Sequence, residues 1–137
     1  MSIALEIIST EKLLLSRDVD MAVIPGTEGD IGVLPGHAKL ITGLRGGLVD
    51  IYENGSISAR YFVSSGFAEI TESRCAVLAD AIVPQEELDE ATAKAALAEA
   101  KAAYDAVDIH DGYAYREAVD KLISAQAMVD SVTPHQV

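Results

Sequence analysis

The chain has 137 residues, half of them hydrophobic, and carries 22 Asp and Glu against 10 Lys and Arg, a formal net charge of −12. That suits one compact domain, or a domain with an appendage; the acidic excess repels nucleic acid and anionic lipid and argues against either as a direct partner. The single Cys75 leaves no internal disulfide to form and fits a reducing compartment.

The N-terminal stretch MSIALEIISTEK has neither the basic start and small-residue cleavage site of a secretory signal nor the arginines of a transit peptide. No apolar run reaches the roughly 18–20 residues needed to span a bilayer. The expectation is a cytosolic chain made in mature form. Ile3, Leu5 and Ile7 alternate with Ser2, Ala4 and Glu6, and Val19, Met21 and Val23 alternate with Asp18, Asp20 and Ala22. Side chains on a strand alternate between faces, so this period marks half-buried strands. The stretch VIPGTEGDIGVLPGHA, residues 23–38, reads as a strand, a Pro-Gly turn, an exposed acidic loop, a short strand and a second Pro-Gly turn. Glu28 and Asp30 project from its tip. Residues 48–52 and 57–63 flank Asn54-Gly55, a strong hairpin signal because both residues tolerate positive φ. Short strands with frequent turns suggest an antiparallel sandwich or barrel over residues 1–84.

The pattern changes at Pro84. Nine of the ten glycines lie before it, and residues 91–106 contain nine alanines, the best helix former. Glu86, Glu87, Asp89 and Glu90 are placed in the first turns, where acids favour the helix dipole. Residues 108–112 read as a break. A second helix follows, with Tyr115, Ala118, Val119, Leu122, Ile123 and Val129 along one stripe, ending at Thr133-Pro134. Residues 85–137 are thus expected to form an antiparallel helical hairpin and tail. Between Glu86 and Asp130 it carries eleven Asp and Glu against four Lys and Arg. Alanine buries little surface, so such a hairpin either stays packed on the strands or detaches and re-docks at modest cost.

Signs of bond chemistry are missing. There is no GxxxxGK[ST] phosphate loop and no GxSxG elbow. His37, His110 and His135 are scattered without a second ligand at metal spacing, so neither a metal nor another cofactor is expected. Cys75 lies in an apolar run and reads as a buried, inert thiol. Ser64-Ser65-Gly66 reads as a strand connection, with no His or acid at catalytic spacing.

Residues 23–38 resemble the signature of the ATP synthase epsilon family. Ile8-Ser9-Thr10-Glu11-Lys12 is similar to that family's first turn, and YFVSSGFAEI (61–70) to its central strand pair. VLAD (77–80) and LDEA (88–91) resemble the strand before the helices and the start of the first helix. The resemblance implies a β-sandwich of about ten antiparallel strands followed by a two-helix hairpin. It implies a non-catalytic rotor subunit beside gamma, on the ring of membrane c subunits, peripheral on the cytoplasmic face of a bacterial plasma membrane. Carried over residue by residue, Glu28, Gly29 and Asp30 face the c-ring, and Ser9, His37 and Thr42 face gamma. Alpha and beta become further partners should the hairpin extend.

The family's nucleotide segment, [IL]DxxRA followed by two more arginines, is matched here at Leu88, Asp89 and Ala93, but Thr92, Glu99 and Ala102 stand at the arginine positions. Arginine is the usual fork for phosphate, so nucleotide binding is expected to be weak or absent. Inhibition of hydrolysis by the hairpin is also expected to be weak. Arg116 and Lys121 face Glu117, Asp120 and Asp130, and each base has an acid four residues away for pairing within the helix. Two other readings stand beside the rotor subunit: a nucleotide-sensing module of the same machine, and an unrelated small β-sandwich enzyme, for which no constellation of residues speaks.

Overall fold

A computed structural model describes residues 1–132; the sequence readings at Thr133-Pro134 and His135 lie outside the described residues. Ten strands come first: β1 (Ile3–Ser9), β2 (Leu13–Val19), β3 (Met21–Gly26), β4 (Gly29–Val33), β5 (Leu40–Leu44), β6 (Gly47–Glu53), β7 (Ser56–Val63), β8 (Gly66–Ile70), β9 (Arg74–Ala79) and β10 (Ile82–Pro84). Helices α1 (Glu90–Ala106) and α2 (Gly112–Ser131) follow. The sandwich and hairpin expected from the two periods are both present.

The strands run β10-β7-β6-β3-β5-β8-β9-β1-β2, with β4 on the other edge of β3. β3 and β5 are joined by the single pair Gly26↔Leu44, and there the sheet folds into two leaves. The core between them is made of alternate residues from both: Ile3, Leu5, Ile7, Ile24, Val33, Val49, Ile51, Val63, Ile70 and Val77 are all fully buried or nearly so. Pairing is antiparallel except for β1 with β9, which run parallel in register Leu5↔Cys75 and Ile7↔Val77. A parallel pair needs a long connection, and the strands between supply it. At the β6–β7 turn Asn54 and Gly55 have φ of 56° and 84°, the two positive values a tight hairpin requires.

Two local readings change. The alternation through Val19, Met21 and Val23 does not continue on one face: Val19 is buried, but Ala22 and Ile24 take the core positions of β3. The shift falls at Asp20, between the end of β2 and the start of β3; its Oδ2 accepts the Asn54 N–H at 2.8 Å. Glu86 and Glu87 belong to a separate 3-10 turn, Gln85–Glu87, and α1 begins after Asp89.

The hairpin lies on the outer face of the β6–β7 leaf. Phe62 is fully buried yet outside the sandwich core, and shares a cleft of about 320 Å³ with Ala96, Ala100, Ala103, Ala125 and Met128 of the two helices. At Gly46 the approach is closer: a Cβ there would stand 2.7 Å from the Ser124 Cα, so only glycine admits α2 at this distance. Gln85 Nε2 donates to the Ser131 carbonyl at 3.1 Å. Among the described residues no ion pair joins the helices to the strands.

Phe62 is thus the principal side chain holding the hairpin. Phe62→Ala removes a buried ring, a loss of roughly 3 kcal/mol or more at such sites, and it should fall on docking. Amide exchange should accelerate along α1 and α2 while β1 and β9 keep their protection; equal loss in all four elements would place Phe62 in the sandwich core instead.

Candidate functional site: an acidic tip and a bare sheet face

Thr27 and Glu28 form a two-residue turn closed by the pair Gly26↔Gly29. Both glycines are required. A Cβ on Gly26 would lie 2.7 Å from the Gly29 carbonyl oxygen, and Gly29 has φ of 141°. Residues 27–30 are all exposed. The two tip acids differ. Asp30 Oδ1 accepts from Arg45 Nη2 at 2.6 Å, and Arg45 Nη1 also donates to the Gly26 carbonyl. Glu28 has no ion pair among the described residues. Arg45 went unread in the sequence because it lies 15 positions from its partner, beyond any local spacing rule.

The three positions expected to face gamma do not form one cluster. Thr42 sits next to the tip, since its neighbour Gly43 accepts the Thr27 N–H at 3.0 Å; the Thr42 hydroxyl donates to the Gly43 carbonyl at 3.2 Å. Ser9 lies at the same end of the β5-β8-β9-β1 leaf, through the chain of partners Ser9↔Ala79↔Gly66↔Leu44. Its Oγ accepts from the N–H of Glu11 and of Lys12 and shapes the β1–β2 turn. His37 lies at the opposite end, beside Gly36, whose N–H donates to the Glu72 carbonyl at 2.7 Å.

What lies between is a feature the sequence reading missed. On the outer face of this leaf the register aligns Gly43↔Phe67↔Leu78↔Ile8↔Leu13 across five strands. Phe67 is 51% exposed and Leu13 53%, with Ile41, one row away on β5, at 71%. The next row is charged: Arg74 donates to Glu6, with Nε at 2.9 Å, and its Nη1 stands 3.6 Å from Glu69. A signal was available, because Phe67 has the parity opposite to Ala68 and Ile70. On a strand that parity places a large apolar ring outside.

Asp89 caps α1, accepting from the Thr92 N–H at 2.9 Å and the Thr92 hydroxyl at 2.7 Å. These bonds hold the Asp89 carboxyl below its ordinary range, the hydroxyl contact contributing most. The Thr92 hydroxyl is therefore committed within the chain. Leu88 is half-buried before the cap, Ala93 is buried, and Glu99 and Ala102 are exposed on α1. The pairs Arg116–Asp120 and Glu117–Lys121 do not close; the pair of that spacing in the structure is Glu90–Lys94, at 3.3 Å. Arg116, Glu117, Asp120 and Lys121 instead line a cleft of about 470 Å³ facing Ser64, Ser65 and Asp80. Among the described residues no group of three or more His, Cys, Asp or Glu is placed to hold a metal ion, and no helix is long and apolar enough to cross a membrane.

Cys75 is fully buried in the core. Burial pushes its pKa from 9.0 to about 11, with Arg74 acting weakly the other way. The folded pKa is raised, so the neutral thiol favours the fold below pH 9, and that contribution is lost as pH rises from 9 to 11. The shift corresponds to about 2–3 kcal/mol. The urea midpoint of the native chain should fall over this window more steeply than that of Cys75→Val; parallel curves would show the thiol does not carry the effect.

Comparison with known proteins agrees with this geometry. The sequence profile described as "ATP synthase, Delta/Epsilon chain, beta-sandwich domain" matches residues 2–85. The ATP synthase epsilon chain of Granulibacter bethesdensis is 50% identical over 128 residues, 93% of this chain and 95% of that one. The epsilon chain of Gluconacetobacter diazotrophicus is 43% identical over 131 residues, 96% and 93% of the two chains. In fold, the chain superposes with TM-score 0.77 at 24% identity on a chain of the Euglena gracilis mitochondrial ATP synthase (OSCP/F1/c-ring), covering 96% of this chain and 82% of the other. With a chain of the Tetrahymena thermophila mitochondrial ATP synthase central stalk and c-ring the TM-score is 0.63 at 12% identity, covering 93% and 97%.

Proposed function

Because the chain belongs to the delta/epsilon-chain family of ATP synthases and is an epsilon subunit by its likeness to those relatives, we propose that it is a non-catalytic rotor subunit that binds gamma and the c-ring and couples proton flow to ATP synthesis. The observation that carries this reading is the apolar row Phe67-Leu78-Ile8-Leu13, exposed at Phe67 and Leu13 and half-buried between them, on one leaf while the hairpin covers the other. A large exposed ring set among apolar neighbours and rimmed by charges marks a protein contact. Gamma would lie on this face and reach round its tip end to Ser9 and Thr42, which share the inner-face parity of their partners Ala79 and Ala68, with His37 at its far end. Residues 1–84 would be the assembly unit and residues 85–137 a weak regulatory arm, on the cytoplasmic side of the membrane. The Thr92–Asp89 bonds disfavour the nucleotide-sensing alternative.

Phe67→Lys tests the gamma face. Exposed substitutions usually change stability by within about 0.5 kcal/mol, so the variant should fold. Affinity for purified gamma should drop by about tenfold or more, the loss of one anchoring ring. Unchanged affinity in a folded variant would remove the row from the interface.

Glu28, Gly29 and Asp30 would meet the polar loops of the ring. Asp30 is already paired to Arg45, so Glu28 is the acid available to a partner's base. Glu28→Lys should leave the sandwich intact and reduce ATP-driven proton pumping by the assembled complex. Pumping at the native rate would count against the ring-facing tip.

A further inference from the structure

Arg45 occupies a position that the rotor reading does not use. It stands in the β5–β6 connection beside Gly46, the residue on which α2 rests. On one side it holds the tip, through Asp30 and the Gly26 carbonyl. On the other it lines a cleft of about 530 Å³ whose far wall is α2, with Asp120, Ile123 and Ser124. Asp120 has no ion pair among the described residues, although Arg116 stands four residues before it on the same wall.

Asp30 thus holds the guanidinium on one side, and on the other Asp120 lines the same cleft as Arg45. The Arg45 side chain is 39% exposed and that of Asp30 63%, so the pair is solvated and easily exchanged. The other acid belongs to the hairpin, whose docking rests on alanines and Phe62 with no cross-linking charge.

We propose that Arg45 is a two-position clamp, exchanging Asp30 for Asp120, so that any cation taken up by Asp30 frees Arg45 to fasten α2 to the sandwich. Occupation of the tip and docking of the hairpin are then positively coupled. By reciprocity a docked, clamped hairpin leaves Asp30 open to a partner. The exchange needs only this chain. Its meaning for the rotor rests on the ring-facing tip proposed above, but its test does not.

Asp30→Asn in the full chain mimics the occupied tip by removing the competing charge. Hydrogen exchange of α2 amides around Ala118 and Ala125 should slow by about two- to fivefold, the worth of one exposed ion pair. The gain should vanish when the same substitution is made in the Asp120→Asn background, and in about 1 M salt, where the Debye length is near 3 Å. Faster or unchanged α2 exchange in Asp30→Asn overturns the clamp, as does a gain that survives Asp120→Asn. The strands β1 and β9 serve as the internal reference, since their protection reports the sandwich alone. Failure of Glu28→Lys to affect pumping would refute the ring-facing tip without touching this result.

Discussion

A helix pair made largely of alanine has to come very close to bury anything. Alanine offers only a methyl group, and the attraction available scales with buried apolar area, roughly 25 cal/mol per Å². Close approach is met here at one place by removing a side chain altogether: Gly46 lets the α2 backbone settle where a Cβ would collide with Ser124. At another it is met by a single large ring, Phe62, sent outward from β7 under the helices. Electrostatics oppose the union. The hairpin segment, residues 86–130 with its caps and connections, holds eleven acids against four bases, and residues 1–85 hold eleven against six. Both bodies are negative, and no ion pair crosses between them among the described residues. Docking is therefore a small difference between a few apolar contacts and a diffuse repulsion.

This constraint divides the sandwich into two unlike outer faces. The β6–β7 leaf is covered by the chain's own helices, and the leaf built on β8, β9 and β1 is left with Phe67 and Leu13 exposed and Leu78 and Ile8 half-buried between them. The covered face carries one aromatic anchor amid small residues and suits a contact that forms and breaks. The bare face carries a continuous apolar row, with Glu6, Arg74 and Glu69 locked into their own network alongside. That network leaves few unpaired charges to desolvate when a partner settles there. The fold thus sets a face covered by small residues and one ring against a face with an exposed apolar row.

The architecture was legible because its signals are local. A period of two before Pro84, an alanine-rich period of 3.6 after it, and the Asn54-Gly55 turn each lie within a few residues. What was illegible depends on pairing across the chain. The phase slip falls at Asp20, whose carboxylate accepts from Asn54, 34 positions away. The role of Arg45 follows from Asp30, and the apolar row emerges only when four pairings are stacked in register. Phe62 and Phe67 lie five positions apart in one motif of the family resemblance, yet one is fully buried and the other half exposed. Their sequence context does not distinguish them; the leaf each belongs to, and what lies over it, does. The two i,i+4 pairs anticipated on α2 failed for a related reason. Such pairs contribute only about 0.2–0.5 kcal/mol, and the cleft against Ser64 and Ser65 gives those side chains other places to point.

Charge and apolar contact then take different tasks in this molecule. An exposed ion pair contributes at most about 1 kcal/mol and is screened within a Debye length. It is too weak to fix a protein contact by itself, yet large enough to tilt a balance that is itself small. The apolar row has the opposite character, strong and insensitive to salt. Acids confined to a glycine-hinged tip and to the cleft beneath α2 therefore make sense as adjusters of a marginal docking equilibrium. The repulsion between two acidic bodies sharpens the point. Under the exchange proposed above, a single guanidinium is worth more here than in a neutral protein, because Arg45 is one of only six bases on the sandwich half and lies between the tip and the cleft against α2.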